Sequence, residues 1–204
     1  MAIISNAVTI ADAGAFSASL GSMTLIKTLT ASSSGTLSFV DGASSVVLDN
    51  TYPIYKFEFI NIHPATDNVN FTVNFRDGGS NYDATKTSSS FGAYHDEGDS
   101  ATGVNYETSF DLAQSTSAQI LGIGGSIGNG NDESLSGTLQ LFNPSSTTFV
   151  KHFISYLNSY DASNTSINNY VAGYCNVTAA IDGVQFTMSS GNIDAGTIKM
   201  YGVS

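Results

Sequence analysis

Apolar and polar residues alternate with a period of two again and again along this chain, while no segment longer than about ten residues keeps the 3.6-residue apolar period of an amphipathic helix. The clearest alternation is VNFTVNFR at 69–76, where every odd position is apolar and every even one polar, as a strand with one face in a core requires. Gly78 and Gly79 end it. Upstream, Tyr55–Ile62 places Tyr55, Phe57 and Phe59 on one side, and His63-Pro64 is expected to stop the strand. The intervening HPATDN has hairpin-loop chemistry, so these two strands are expected to pair antiparallel. The same pattern predicts strands at Thr24–Thr30, Thr36–Val40, Ser45–Leu48, Ser117–Ile123, Ser136–Phe142, Thr147–Leu157, Tyr170–Thr178, Gly183–Met188 and Thr197–Tyr201, each bounded by Gly, Asn, Asp or Ser. About ten strands and few helices imply two packed sheets, with Phe57, Phe59, Phe71, Phe75, Phe149, Phe153 and Phe186 facing inward. The polar stretch from Asn81 to Glu107 reads as a long loop over the sandwich edge or a short excursion hairpin.

Residues 1–22 stand apart, rich in Ala and Ser. They read as an arm or attachment segment; the plainer and favoured reading is a loose terminus or extra edge strand, and the sharper one is that Ile3, Ile4, Val8 and Ile10 order on a neighbouring subunit. Residues 23–204 then form a single domain. There are 204 residues with 41% hydrophobic content, enough for one sizeable core. Only 11% are charged, the net charge is -11, and 30 serines supply much of the polarity. Such a surface suits a crowded assembly, because Ser, Thr and Asn lose little entropy when covered, whereas burying Lys or Glu costs entropy and desolvation. Six scattered basic residues offer no cationic stripe, which argues against nucleic acid. No apolar run is long enough to span a bilayer, and the first residues lack the cationic region of a secretory signal, so cytoplasmic synthesis without a signal peptide or membrane insertion is expected. The single cysteine, Cys175, cannot form an intrachain bridge.

Candidate chemistry is thin. Gly124-Gly125-Ser126-Ile127-Gly128 satisfies G-x-S-x-G and is followed by Asp132 and His152, in the order of a hydrolase triad. However, Asn129-Gly130-Asn131-Asp132 cannot supply the helix that a nucleophile elbow needs, so no catalytic residue is assigned. His95-Asp96-Glu97-Gly98-Asp99 gathers an imidazole and three carboxylates, but it lacks the ligand rhythm and distant Glu of an EF-hand and reads as a solvated acidic tip. No metal or cofactor is assigned. Cys175 shares the phase of Val171 and Val177 and reads as a packed thiol. The aromatics of the long polar stretch, Tyr82, Phe91, Tyr94 and Tyr106, are the hardest to place in a core, which makes Tyr82, Tyr94, His95, Asp96 and Tyr106 the candidate contacts to a partner or glycan.

The closing segment AIDGVQF…GNIDAGTIKMYGV, together with YKFEFINIHPATDNVNFTVNFRDGGSNYDA and FVKHFISYLNSYD in the same order, resembles a group of small tailed-phage virion proteins of marine and cyanobacterial phages, over residues 24–204. The resemblance implies a jelly-roll-like antiparallel β-sandwich of about eight to ten strands. It also implies a non-enzymatic structural role in the virion as capsid decoration, head-tail accessory or fibre component. Expected partners are other virion proteins (capsid, portal or tail) and further copies of the chain in a homo-oligomer, with a trimer as first expectation. The alternative is a receptor-binding or carbohydrate-binding module that meets a host surface glycan.

Overall fold

The computed structural model describes residues 3–5, 8–12, 15–16, 23–122 and 127–204, the first three segments as backbone only. All regular structure among them is β, and every paired strand is antiparallel. A wide sheet of eight strands runs in the order β4 (Met23–Thr30), β15 (Ile193–Val203), β6 (Ile54–Pro64), β11 (Leu135–Phe142), β12 (Lys151–Tyr160), β13 (Thr165–Cys175), β8 (Lys86–Asp96), β9 (Thr102–Tyr106). A narrow sheet of four has the order β10 (Gln119–Ile120), β7 (Phe71–Arg76), β14 (Gly183–Met188), β5 (Leu37–Val40). The all-β sandwich expected from the alternation is the fold observed. Its division into eight and four strands does not establish jelly-roll connectivity. In the arm, β1 (Ile3–Ser5), β2 (Val8–Asp12) and β3 (Ala15–Phe16) form a small sheet of their own. The side chains of Ile3, Ile4, Val8 and Ile10 lie outside the described residues.

Alternation makes the sandwich because it gives each sheet one apolar face, and burying two such faces against each other removes both from water. Phe186 on β14 is the hub. Its ring stacks on Phe71 at 5.7 Å and meets Phe59, Phe57 and Phe39 edge-on at 5.2, 5.5 and 6.3 Å. All five rings are buried, and they come from both sheets.

Several expectations change. β6 and β7 do not form a hairpin. Residues 65–70 carry the chain from the wide sheet to the narrow one, and the two strands face each other through Phe59 and Phe71, 5.2 Å apart. The apolar alternation of both was correct, but in a sandwich it can be satisfied across the core as well as beside it. β6 ends at Pro64, as expected, but its phase does not run through unbroken. A bulge at Asn61, with φ of 49°, shifts the phase so that Ile62 and Pro64 are buried where Tyr55, Phe57 and Phe59 were. Gly196 on β15 faces this bulge at φ of 113°, and any Cβ there would lie 2.6 Å from the Asn61 carbonyl oxygen, so the crossing needs glycine. Ser45–Leu48 is a turn rather than a strand. Its backbone is bonded locally, with Gly42 N–H donating to Val46 O and Leu48 N–H to Asp41 Oδ1, although Val46 and Leu48 are buried. Phe149 is 70% exposed, because β12 starts only at Lys151. The stretch at 81–107, expected as a loop or a short excursion hairpin, holds the β8–β9 hairpin, which is no excursion, because β8 pairs with β13 along its full length.

Candidate functional site

The register of β12, β13 and β8 settles which residues share a face. Inward rows are Lys151–Cys175–Lys86, Phe153–Gly173–Ser88, Ser155–Val171–Ser90, Leu157–Asn169–Gly92 and Ser159–Ile167–Tyr94. Outward rows are His152–Tyr174–Thr87, Ile154–Ala172–Ser89, Tyr156–Tyr170–Phe91, Asn158–Asn168–Ala93 and Tyr160–Ser166–His95. These three strands thus mix polar with apolar residues inside and carry a row of aromatics outside. β9 extends the central outward row with Tyr106 opposite Phe91. Within that row Phe91 stacks on Tyr170 at 5.1 Å and 7°, and Tyr156 tilts onto Tyr170 at 4.8 Å. Tyr156, Tyr170, Phe91 and Tyr106 are all exposed, as are the neighbouring Ile154 and Val104. None of the fifteen outward residues on β12, β13 and β8 is Lys, Arg, Asp or Glu.

Much of the polar interior is hydrogen-bonded, the buried Ser90 hydroxyl being without a partner among the described residues. Lys86 is fully buried and donates from Nζ to Asn74 Oδ1 at 2.5 Å and to Ala84 O at 2.7 Å; Lys151 donates to Val177 O at 2.8 Å. Burial holds both ammonium groups below the usual lysine range, Lys86 at about 8. Burial likewise pushes the Cys175 thiol between them up to about 12, so it stays protonated at neutral pH, as a packed thiol does. Residues 107–115 run along the free edge of β8, with Glu107 N–H donating to Ser90 O, Ser88 N–H to Leu112 O and Lys86 N–H to Ser115 O. The chain then crosses into the narrow sheet as β10, where the buried Gln119 accepts from Ser88 Oγ at 2.6 Å.

The five contact candidates do not converge. Tyr82 packs over Gly183, at the opposite end of β8 from the others. His95 faces outward, with Nε2 3.1 Å from Asp99 Oδ1. Asp96 is spent on its own turn, where the Ser100 hydroxyl and the Ser100 and Ala101 N–H groups hold it below the usual carboxylate range. Tyr106 lies on the outer face and donates to Asp111 Oδ2 at 2.7 Å. Tyr94 points inward. No group of three or more metal-ligating side chains occurs among the described residues. Ser126 lies outside them. His152 packs against the Tyr174 ring near the start of β12, whereas Asp132 precedes Ser134, whose carbonyl accepts from Tyr160 N–H at the strand's far end. Eight residues of extended chain, roughly 26 Å, separate those two ends.

Tyr94 lines a cleft of about 660 Å³ where the β8–β9 hairpin, the β12–β13 turn and the 65–70 crossing meet. Asn68, Asn105, Glu107, Phe110 and Asp161 contribute to its walls. The Tyr94 ring lies on Gly103 of β9, where a Cβ would sit 2.8 Å from Cε1. Asp161 Oδ1 accepts from the Ser163 and Thr165 N–H groups, both at 2.9 Å, which fixes the turn. Isolated bridges from Val69 to Ile127 and from Ile127 to Asp161 tie the floor to the sheet. Tyr94 is the only one of these residues singled out in sequence; the others come from distant segments that no local pattern joins. A second, shallower depression of about 500 Å³ lies on the outer face where Ala172 sits between Ile154, His152 and Tyr174.

The chain matches no family model, no curated protein and no solved structure.

Proposed function

We propose that the chain is a non-enzymatic structural component of a tailed-phage virion, as a capsid decoration, head-tail accessory or fibre component. It acts through contacts with further copies of itself and with neighbouring virion proteins. The observation that carries this reading is the outer face of β12, β13 and β8. A water-facing sheet surface normally carries charge, but this one presents a row of rings and no charged side chain, the composition of the centre of a protein interface. Two copies with a net charge of -11 repel each other, and a charge-free face is where they can approach at least cost. The sequence resemblance to tailed-phage virion proteins supplies the setting. The N-terminal segment is the second contact, joining the oligomer to the particle.

Light scattering on the purified protein is expected to give a closed oligomer, with a trimer as first expectation. The triple variant Phe91→Ser/Tyr156→Ser/Tyr170→Ser is expected to be a folded monomer. Mass spectrometry of purified particles should find the chain in the virion, and deletion of residues 1–22 should release it while the sandwich stays folded. A monomeric wild type that is also missing from purified particles would overturn the reading.

A further inference from the structure

We infer that the cleft beneath Tyr94 is a binding site for an uncharged pyranose residue of a surface polysaccharide. The inference is independent of the assembly role and of the outer face. A volume of about 660 Å³ lies within the range of small-ligand sites. Its chemistry narrows the ligand.

A pyranose presents an apolar C–H face and a rim of hydroxyls, each both donor and acceptor. The Tyr94 ring supplies a flat partner for that face, and Gly103 is what lets the ring lie down on β9. For the rim, Asn68 and Asn105 offer amides that donate and accept, while Glu107 offers a carboxylate that accepts. None of these three side chains, nor the Tyr94 hydroxyl, hydrogen-bonds to any other described residue. Some other turns engage their polar side chains, as Asp49 with Thr51 and Asp96 with Ser100. The rim of the cleft leaves its bonding capacity open to a ligand.

Charge excludes the other sugars. No Lys, Arg or His lines the cleft, and Glu107 and Asp161 make it negative, so sialylated, sulfated or phosphorylated residues are repelled. A bare cation is disfavoured because Asp161 Oδ1 is committed to two backbone N–H groups, leaving Glu107 as the only fully uncommitted carboxylate in the cleft.

The test is a printed array of neutral, sialylated and sulfated glycans together with host lipopolysaccharide and exopolysaccharide. It is probed with the full chain and with Tyr94→Ala, Asn105→Ala, Glu107→Gln and, as a control, Leu25→Ser, an exposed position on β4 at the far edge of the wide sheet. Wild type is expected to bind neutral glycans only. Binding should fall at least tenfold in Tyr94→Ala and severalfold in Asn105→Ala and Glu107→Gln, and it should persist in Leu25→Ser. Asn105 is exposed, so its variant keeps the test open if Tyr94→Ala fails to fold. A blank array, a preference for anionic glycans, full binding by folded Tyr94→Ala and Asn105→Ala, or loss in Leu25→Ser alone would each overturn the site.

Discussion

The wide sheet has two halves that use their faces in opposite ways. In β6, β11 and β15 the inner face is apolar, with Phe57, Phe59, Leu139, Leu141, Ile198 and Met200 fully or almost fully buried. The outer face there carries charge, including Lys199 and the Lys56–Glu58 pair at 2.9 Å. In β12, β13 and β8 the inner face mixes Lys86, Lys151, Ser90, Ser155 and Asn169 with its apolar residues, and the rings stand outside. The difference follows from what covers each half. The rings of β6 meet those of the narrow sheet, which offers Phe39, Phe71 and Phe186. The edge at β8 is closed by the irregular 107–119 segment, whose carbonyls and Gln119 need polar partners. Stability is therefore expected to concentrate in the first half, while the proposed contacts use the second.

The largest effect expected from this division is in the aromatic hub. Phe186→Ala removes a ring that touches four others and leaves a cavity between the sheets, so it should cost about 3–5 kcal/mol, read from the shift of a denaturant unfolding midpoint at unchanged slope. A loss below about 1 kcal/mol would mean that the stability does not reside in this half.

The first half was far more legible in the sequence than the second. Alternation in Tyr55–Phe59, and in Phe71–Arg76 and Gly183–Met188 of the narrow sheet that packs on it, identified the strands and their buried faces, because one periodicity there serves one apolar core. The partner of each strand was not legible: the alternation of β6 fits a neighbour in the same sheet as well as one across the core, and the Pro in HPATDN resembles a hairpin loop. In the second half the pattern itself misleads. TKTSSSFGAYHD has Ser and Lys at inward positions, so the eleven-residue strand within it reads as polar loop or short excursion hairpin rather than as part of the main sheet. The pairing with β13, which makes it a strand, is a long-range fact. The cleft was legible only at Tyr94, since Asn68, Glu107 and Asp161 acquire meaning only when three connections meet.

The polar interior yields a pH signature of intermediate size. Lys86 sits at about 8 in the folded chain and near the ordinary lysine value of 10.5 when unfolded. Below pH 8 both states are charged and the burial cost is fully present. Between the two values the unfolded chain binds more protons, so this lysine's contribution to stability rises with pH across that window. Cys175 and Tyr55, both raised to about 12 by burial, pull the other way above pH 9 to 10. Lys86→Met isolates the lysine: its stability relative to wild type should decline by on the order of 1–3 kcal/mol from pH 7.5 to 10.5. A constant difference would place the ammonium group in water.

The smallest change in stability is expected where the functional change is largest. Phe91→Ser removes one member of the stacked pair with Tyr170, a ring already 46% exposed, so it should cost only about 0.5–1.5 kcal/mol. The contrast with Phe186→Ala is the decisive quantity, because the two residues are the same amino acid, one between the sheets and one on the outer face. If the outer row is an interface, Phe91→Ser weakens self-association at least tenfold in sedimentation while the monomer unfolds almost as wild type does. If instead the variant loses as much stability as Phe186→Ala, the outer rings are holding the strands together, and the separation of a stabilising half from a recognising half fails.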